Sequence, residues 1–207
     1  MKQWPACAIA VATFVVAVPA LAQSSTATVN AAGTGQSIVV DQSTAASSSA
    51  SIDQIGNDGQ AYIAQVGANA EAMLVANGDN QEHTILQTGD GMSRATVNSF
   101  GSGNVTDVRQ FAESGGVGEV VLLQTGSDNR ADIFQSTAAA AFNSIALNQF
   151  GTDNEAILRQ EGAGNTLSLT QDGSGLSAQL TQLGNGLNLG ITQGVGSTPI
   201  VITQTGP

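Results

Sequence analysis

Cysteine and basic residues are both scarce in this sequence. It contains a single cysteine, Cys7, and only five Lys and Arg against sixteen Asp and Glu, which gives a formal net charge of -11. One cysteine excludes a disulfide framework within the chain. A phosphate-binding surface needs clustered basic residues, so this balance argues against a nucleic-acid partner and against electrostatic binding to an anionic membrane.

Aromatic residues are also few, at 4% of the sequence. A chain with so few large rings cannot fill the thick core of an ordinary globular domain, whereas Ile, Leu, Val, Ala and buried amides suit a thin, flat one. The only histidine is His83. Because no second His or Cys accompanies it, neither a zinc site nor a nucleophile-base pair can be assembled. We therefore predict no catalytic residue, no metal site and no cofactor, and interpret His83 as an irregular core residue.

The first 22 residues are typical of a secretory signal peptide. Lys2 precedes an apolar run from Ala6 to Val18, and Ala20-Leu21-Ala22 forms a small-x-small cleavage site. A retained membrane helix is the alternative, but spanning a bilayer takes about 20 apolar residues and Pro19 interrupts this run. We predict that residues 1–22 are removed and that no membrane insertion follows. Loss of Lys2 would take the net charge from -11 to -12.

Glutamine recurs about every eleven residues from Gln54 to Gln204. If weaker positions at Ala31 and Gln42 are included, thirteen of sixteen aligned positions are glutamine, and the residue two before each is always Ile, Leu or Val. Alternate residues of a strand share one face, so the glutamines and these aliphatic residues lie together, with the period of a strand. The glutamines predicted to face inward are Gln54, Gln65, Gln87, Gln110, Gln124, Gln135, Gln149, Gln160, Gln171, Gln182, Gln193 and Gln204.

Asparagine and glycine recur at fixed distances from these glutamines. The inward asparagines, six residues before a glutamine position, are Asn104, Asn129, Asn143, Asn154 and Asn165. The glycines, two residues after one, are Gly56, Gly67, Gly89, Gly101, Gly126, Gly151, Gly162, Gly173 and Gly184. Glycine there indicates a tight turn with positive φ after each strand. Two steps of fourteen residues instead of eleven place their extra residues inside such turns, at 113–118 and 137–142.

The inward residue four before each glutamine position alternates between large and small in the second half, as in Val120, Ala131, Ile145 and Ala156. The repeat is therefore about 22 residues, one strand with a bulky inner residue facing one with a small inner residue. We predict an all-β, two-sheet β-solenoid of the cross-β type, with about 22 residues per rung and seven to eight rungs. It would occupy residues 51–207, after a Ser-, Ala- and Thr-rich leader with degenerate repeats at 23–50.

Rungs about 4.8 Å apart would place each inner Gln above another Gln and each inner Asn above another Asn. An amide carries both a donor and an acceptor, so a column of amides satisfies itself along the axis and fixes the register, whereas a column of glutamates would repel. The alternative is that the glutamines are surface residues of a generic solenoid. That alternative does not explain why Gln falls in phase with the aliphatic position. Ala76, Ser99 and Leu176 would interrupt some columns.

Two segments resemble the curlin repeat, Q-x-G-x-x-N-x-A-x-x-x-Q. Residues 124–135 (QTGSDNRADIFQ) and 149–160 (QFGTDNEAILRQ) match every fixed position, and 160–171 (QEGAGNTLSLTQ) has Leu167 in place of Ala. The resemblance covers about three quarters of the chain. Curlins of the major type carry a Gly- and Asn-rich leader and five clear repeats, whereas this leader is Ser- and Ala-rich and the repeats form up to eight pairs. Export by the curli route is therefore a weaker expectation than the fold.

The resemblance implies a secreted structural subunit of curli, the functional amyloid fibres on the surface of Gram-negative bacteria that support adhesion and the biofilm matrix. The implied partners are further copies of the chain, a second curlin-type subunit, and the curli export channel with its accessory proteins. From the residues alone, we add the hypothesis that the hydrophobic last unit, residues 200–206, templates the next subunit. The alternative is a monomeric secreted solenoid that binds ice or another surface, suggested by outward Thr170, Thr181, Thr192 and Thr203.

Overall fold

Residues 12–17 and 24–207 are described by the computed structural model, and their regular secondary structure consists of seventeen β-strands. Alternating branched residues favour this structure because they pack well on a pleated surface. The strands are β1 (Ala12–Ala17), β2 (Thr26–Ala32), β3 (Gln36–Ala46), β4 (Ser49–Ile55), β5 (Gln60–Ala68), β6 (Ala70–Asn77), β7 (Glu82–Gly89), β8 (Met92–Ser102), β9 (Val105–Ala112), β10 (Val117–Ser127), β11 (Arg130–Thr137), β12 (Phe142–Thr152), β13 (Glu155–Ala163), β14 (Thr166–Ser174), β15 (Ser177–Asn185), β16 (Asn188–Gly194) and β17 (Ile200–Thr205). Within the described ranges, no helix is long and apolar enough to cross a membrane.

Successive strands alternate between two parallel sheets. Sheet A contains the nine odd-numbered strands from β1 to β17, and sheet B contains the eight even-numbered strands from β2 to β16, each in chain order. Gln124 pairs with Gln149, and Gln149 pairs with Gln171, so like positions stack from rung to rung. The predicted two-sheet β-solenoid of about eight rungs is confirmed.

The core is a thin seam between the sheets. On sheet B the large residues Val120, Ile145 and Leu167 stack and are fully buried. Small residues stack at the same offset on sheet A, where Ala131 and Ala156 are at most 1% exposed. Large side chains of one sheet therefore fill the space left by small ones of the other, the close packing that protein interiors require.

The turn glycines let neighbouring rungs approach closely. Gly126 has a φ of +123°, and a Cβ added there would lie 1.8 Å from the carbonyl oxygen of Gly151. Backbone pairing also continues through the glycine, because β10 and β12 remain in register from Val117 to Ser127. Strands such as β10 and β12, of eleven residues each, therefore extend past the glutamine, since stacked turns continue the hydrogen-bond ladder.

The two fourteen-residue steps lie on the same side of the solenoid, in the connections from β9 to β10 and from β11 to β12. They stack on each other, because the Glu113 N–H donates to the Thr137 carbonyl at 3.0 Å and the Val117 N–H donates to the Ala141 carbonyl at 2.7 Å. The extra residues thus widen one corner without changing the register of the strands on either side.

Most of the segment predicted as a leader forms strands of the solenoid. Strands β2, β3 and β4 pair with later strands, and β3 contains an irregularity between Asp41 and Thr44. Strand β1 lies inside the predicted signal peptide and pairs with β3, with Val16 opposite Val40. The rest of that peptide lies outside the described residues.

Candidate functional site

A continuous column of glutamine amides runs the length of sheet A. Each Nε2 donates to the Oε1 of the next rung, at 2.7 to 3.0 Å. Seven such bonds join Gln42, Gln65, Gln87, Gln110, Gln135, Gln160, Gln182 and Gln204. These amides are placed by the strand pleat, which points them inward beside the aliphatic residue two before each.

The amides of the first seven of these glutamines also donate across the seam. Gln65 donates to the Ser49 carbonyl at 2.9 Å, and Gln160 donates to the Ser144 carbonyl at 3.1 Å. Ser49 and Ser144 lie near the starts of sheet-B strands, so the column joins the two sheets as well as the rungs. This bridging role was not predicted from the sequence, because nothing in the repeat shows which carbonyl lies opposite an amide.

The sheet-A column is polar, with an unused group at each end. Among residues 12–17 and 24–207, buried Gln42 Oε1 accepts no hydrogen bond and Gln204 Nε2 donates to no atom. At the Gln42 end an acceptor is free, and at the Gln204 end a donor is free. The two ends are therefore chemically complementary.

The sheet-B column is interrupted. Gln124, Gln149, Gln171 and Gln193 are joined by bonds of 2.8 to 2.9 Å, and Gln193 Nε2 then donates to the Thr198 carbonyl at 3.2 Å. This end is thus closed by the chain itself. Toward the other end, Ala76 and Ser99 occupy glutamine positions. Both amide atoms of Gln54 are consequently buried without a partner; it alone of the twelve predicted glutamines lies outside both columns.

The asparagines stack, but they bond mainly to backbone groups. The Asn129 Nδ2 donates to the Gly151 carbonyl at 3.0 Å, and the Asn154 N–H donates to Asn129 Oδ1 at 3.2 Å. The amide-to-glycine contact recurs at the opposite corner, where Asn165 Nδ2 donates to the Gly184 carbonyl at 2.7 Å. All five predicted asparagines donate in this way to a turn-glycine carbonyl, namely Asn104, Asn129, Asn143, Asn154 and Asn165.

All nine predicted turn glycines have positive φ, from +104° to +152°. Seven of the nine carbonyls, those other than Gly67 and Gly89, accept a hydrogen bond from an inward amide of the neighbouring rung, and two of those amides are Gln36 and Gln81 in place of asparagine. Both glutamines fall six residues before a glutamine position. Their position in the repeat would therefore have identified them as inward amides, although only asparagines were predicted at that position.

Comparison with known protein families supports this geometry. Residues 143–173, which span β12, β13 and most of β14, match the family model for the curlin associated repeat. The chain therefore contains a curlin associated repeat. No curated protein and no solved structure matches it. The matched segment lies in the regular half, where the amide columns are complete in both sheets.

The curlin pattern is broken where the sheet-B column is broken, and sheet A supplies one replacement group, the Thr106 hydroxyl. Thr106 Oγ1 donates to Gln124 Oε1 at 2.8 Å, in place of the missing amide at Ser99. One rung earlier the corresponding pair is His83 and Ser99, because His83 pairs with Thr106 and Ser99 pairs with Gln124. His83 is 1% exposed, and burial lowers its pKa to about 4.

The outer faces carry the charged residues. Arg94 lies between two glutamates of neighbouring strands and pairs with one of them, Glu71, at 3.2 Å. Arg159 pairs with Glu161 and stacks 5.2 Å from the ring centroid of Phe134. Exposed pairs of this kind contribute at most about 1 kcal/mol each. Among residues 12–17 and 24–207, no group of three His, Cys, Asp or Glu is placed to hold a metal ion.

Proposed function

We propose that this protein is the structural subunit of an extracellular curli-type amyloid fibre that grows by stacking rungs of successive subunits. The curlin repeat and the β-solenoid fit a curli-like structural protein, and curlins are not an enzyme family. The observation that carries the proposal is the polar sheet-A column, with a free acceptor at Gln42 and a free donor at Gln204. One copy can therefore extend the column of the next.

The two ends of the solenoid also match in strand direction and in the alternation of their side chains. Strand β17 of one copy would stack on β3 of the next, so that Ile202 meets Val40 and Gln204 meets Gln42. The strands at these positions are parallel and share the alternation of apolar and outward residues. In sheet B, Gln193 would meet Ala31, so only the sheet-A column would continue across the junction. Strand β1 covers the outer edge of β3, so removal of residues 1–22 would expose that edge.

The junction is tested by replacing Gln204 with Glu. The carboxylate still accepts from Gln182 but cannot donate to Gln42 of the next copy. Losing one buried hydrogen bond of about 1.4 kcal/mol slows or weakens each addition about tenfold. The matched control is Gln179→Glu, the same change on the exposed outer face of the neighbouring strand β15, where no amide column is affected. Seeded fibre growth, followed by thioflavin fluorescence and electron microscopy, is the measurement.

We expect wild-type fibres with a meridional spacing of about 4.7 to 4.8 Å. Growth of Gln204→Glu at the wild-type rate, or equal slowing of both variants, would contradict the junction. A wild-type chain that stays monodisperse would contradict the fibre itself and favour a monomeric secreted binding module. Truncation after Gly196 removes β17 altogether and should stop growth.

The location and partners belong to the same proposal. The signal-like segment at 1–22 and the curlin repeat support secretion to the surface of a Gram-negative bacterium, where the fibre would contribute to adhesion and the biofilm matrix. We include a second curlin-type subunit and the curli export channel among the partners. Immunogold labelling of intact cells, with and without that channel, tests both location and route.

A further inference from the structure

His83 is the only histidine of the chain and lies inside the solenoid. Its Nε2 is 2.9 Å from Gln81 Oε1, an atom that can only accept, so Nε2 carries the proton. Nδ1 is buried and has no hydrogen-bond partner in the described part of the chain. The neutral ring leaves only a lone pair unpaired there. A second proton on Nδ1 would need an acceptor that the site does not provide.

No negative charge faces this ring. On the flanking sheet-A strands the stacked residues are Ala61 and Thr106, and across the seam the inner residues of β6 and β8 are small or apolar, including Ala72 and Ala95. Apart from His83 itself, the charged and titratable side chains of residues 60–112 are exposed or half-buried, and none occupies an inward strand position; they are Tyr62, Glu71, Asp79, Glu82, Asp90, Arg94, Asp107 and Arg109. A protonated ring would therefore be a buried cation without a counter-ion.

Unpartnered buried polar groups are concentrated in the same half of the solenoid. The atoms concerned belong to Gln36, Gln42, Gln54, His83, Ser93, Ser99 and Asp107 before β10, and to Thr137 from β10 onward; the second carboxylate oxygen of Asp107 pairs with Arg109. Each such group weakens its rung, because its water contacts are lost without replacement. The rungs from β10 onward thus contain fewer buried polar atoms without a hydrogen bond than the rungs around His83. Local opening is expected where such atoms are most numerous.

We propose that His83 is an acid-sensitive switch: uptake of a proton opens strands β5 to β9 while the rungs from β10 onward remain paired. The switch goes beyond fibre formation and does not depend on it, since the contacts that it uses lie within one chain.

The direction follows from linkage. Burial lowers the pKa of His83 from 6.5 to about 4, so the folded site binds fewer protons than the open one. The stability contributed by the neutral ring is present above about pH 6.5 and is lost as the pH falls toward about 4. At about pH 4.5 the opening equilibrium should rise by about 60-fold relative to pH 7. Protonation of outer carboxylates has the opposite effect in a chain of net charge -11, because it reduces repulsion.

Hydrogen exchange followed by mass spectrometry tests the switch on the signal-free chain, as monomer or as fibre. Exchange is compared at about pH 7 and about pH 4.5, after correction for the intrinsic rate, in peptides from β5–β9 and from β13–β17. The wild type should lose protection at low pH in the first set only. His83→Ala should remove this pH dependence; Ala61 on the neighbouring strand and Ala131 two strands further on show that alanine fits the position.

His83→Thr is the second variant. It introduces the residue that occupies this position in the next rung, Thr106. Because threonine fills more of the space than alanine, this variant shows whether a change in protection in His83→Ala comes from the cavity that alanine leaves. The proposal is overturned if wild-type β5–β9 keep their protection at about pH 4.5. It is equally overturned if both variants lose protection as the wild type does, because carboxylates would then be responsible.

Discussion

Replacing Gln135 by Glu tests whether the amide column stabilises the fold. Gln135 is fully buried at the middle of the sheet-A column. Its Nε2 donates to Gln160 Oε1 at 3.0 Å and to the Glu119 carbonyl at 3.1 Å, and its Oε1 accepts from Gln110 at 3.0 Å. Glutamate has the same shape and keeps the accepted bond. A carboxylate cannot make the two donated bonds, and it lies against the two oxygens that had accepted them.

The magnitude follows from these contacts. Two buried acceptors lose their donor, at about 1 to 3 kcal/mol each, and the unpaired carboxylate adds a further desolvation cost. We therefore expect Gln135→Glu to lose at least about 4 kcal/mol of unfolding free energy at neutral pH. Burial should raise the carboxyl pKa above the unfolded value of about 4.3, so much of this loss should disappear as the pH falls below the raised value. The protonated acid can again donate one bond.

Guanidinium unfolding followed by circular dichroism, at neutral and acidic pH, measures this change. The matched control is Gln179→Glu, on the exposed outer face of sheet A, which should change stability by no more than about 0.5 kcal/mol. If Gln135→Glu is as stable as the wild type at neutral pH, or if the control loses as much, the column does not stabilise the fold.

The remaining predictions concern the turns and the core. Gly126→Ala should cost about 3 kcal/mol or more, because its Cβ would lie 1.8 Å from the Gly151 oxygen. Gly175→Ala, with positive φ but nothing within 4 Å of the new Cβ, should cost only about 1 kcal/mol; equal losses would contradict the close-approach argument. Leu147→Ala should cost about 2 to 5 kcal/mol, since the side chain is fully buried between neighbouring rungs. A loss below about 1 kcal/mol would show that the seam collapses around the cavity. Chemical unfolding measures all three.

The fold could be predicted because the same sequence features recur in every repeat. Period two, glycine two residues after the glutamine and alternating inner size each recur, so one irregular unit does not disturb the assignment. The limits of the solenoid were harder to predict. Residues 26–46 form β2 and β3 although their sequence is rich in Ser and Thr, because pairing with β4 and β5 compensates for a weak pattern.

The site was less predictable than the fold. The repeat identifies which residues point inward, but hydrogen-bond partners depend on distances across the seam. Gln65 reaches the Ser49 carbonyl on the other sheet, and Asn129 reaches the Gly151 carbonyl in the next turn. Both partners are backbone groups, which carry no sequence signal. The positions of Thr106 and His83 opposite the gap likewise follow only from the way that one sheet faces the other.

The two sheets thus differ in what they can contribute to a fibre. Sheet A keeps a glutamine in every rung from β3 to β17, so its column alone is continuous and open at both ends. Sheet B loses its column at Ala76 and Ser99 and is closed at Gln193 by the Thr198 carbonyl. Register between subunits, if they stack, must then be set by sheet A. Sheet B can therefore vary in sequence without loss of that register. Opposite the gap in its column, sheet A places Thr106 and His83, and only the histidine introduces a charge that depends on pH.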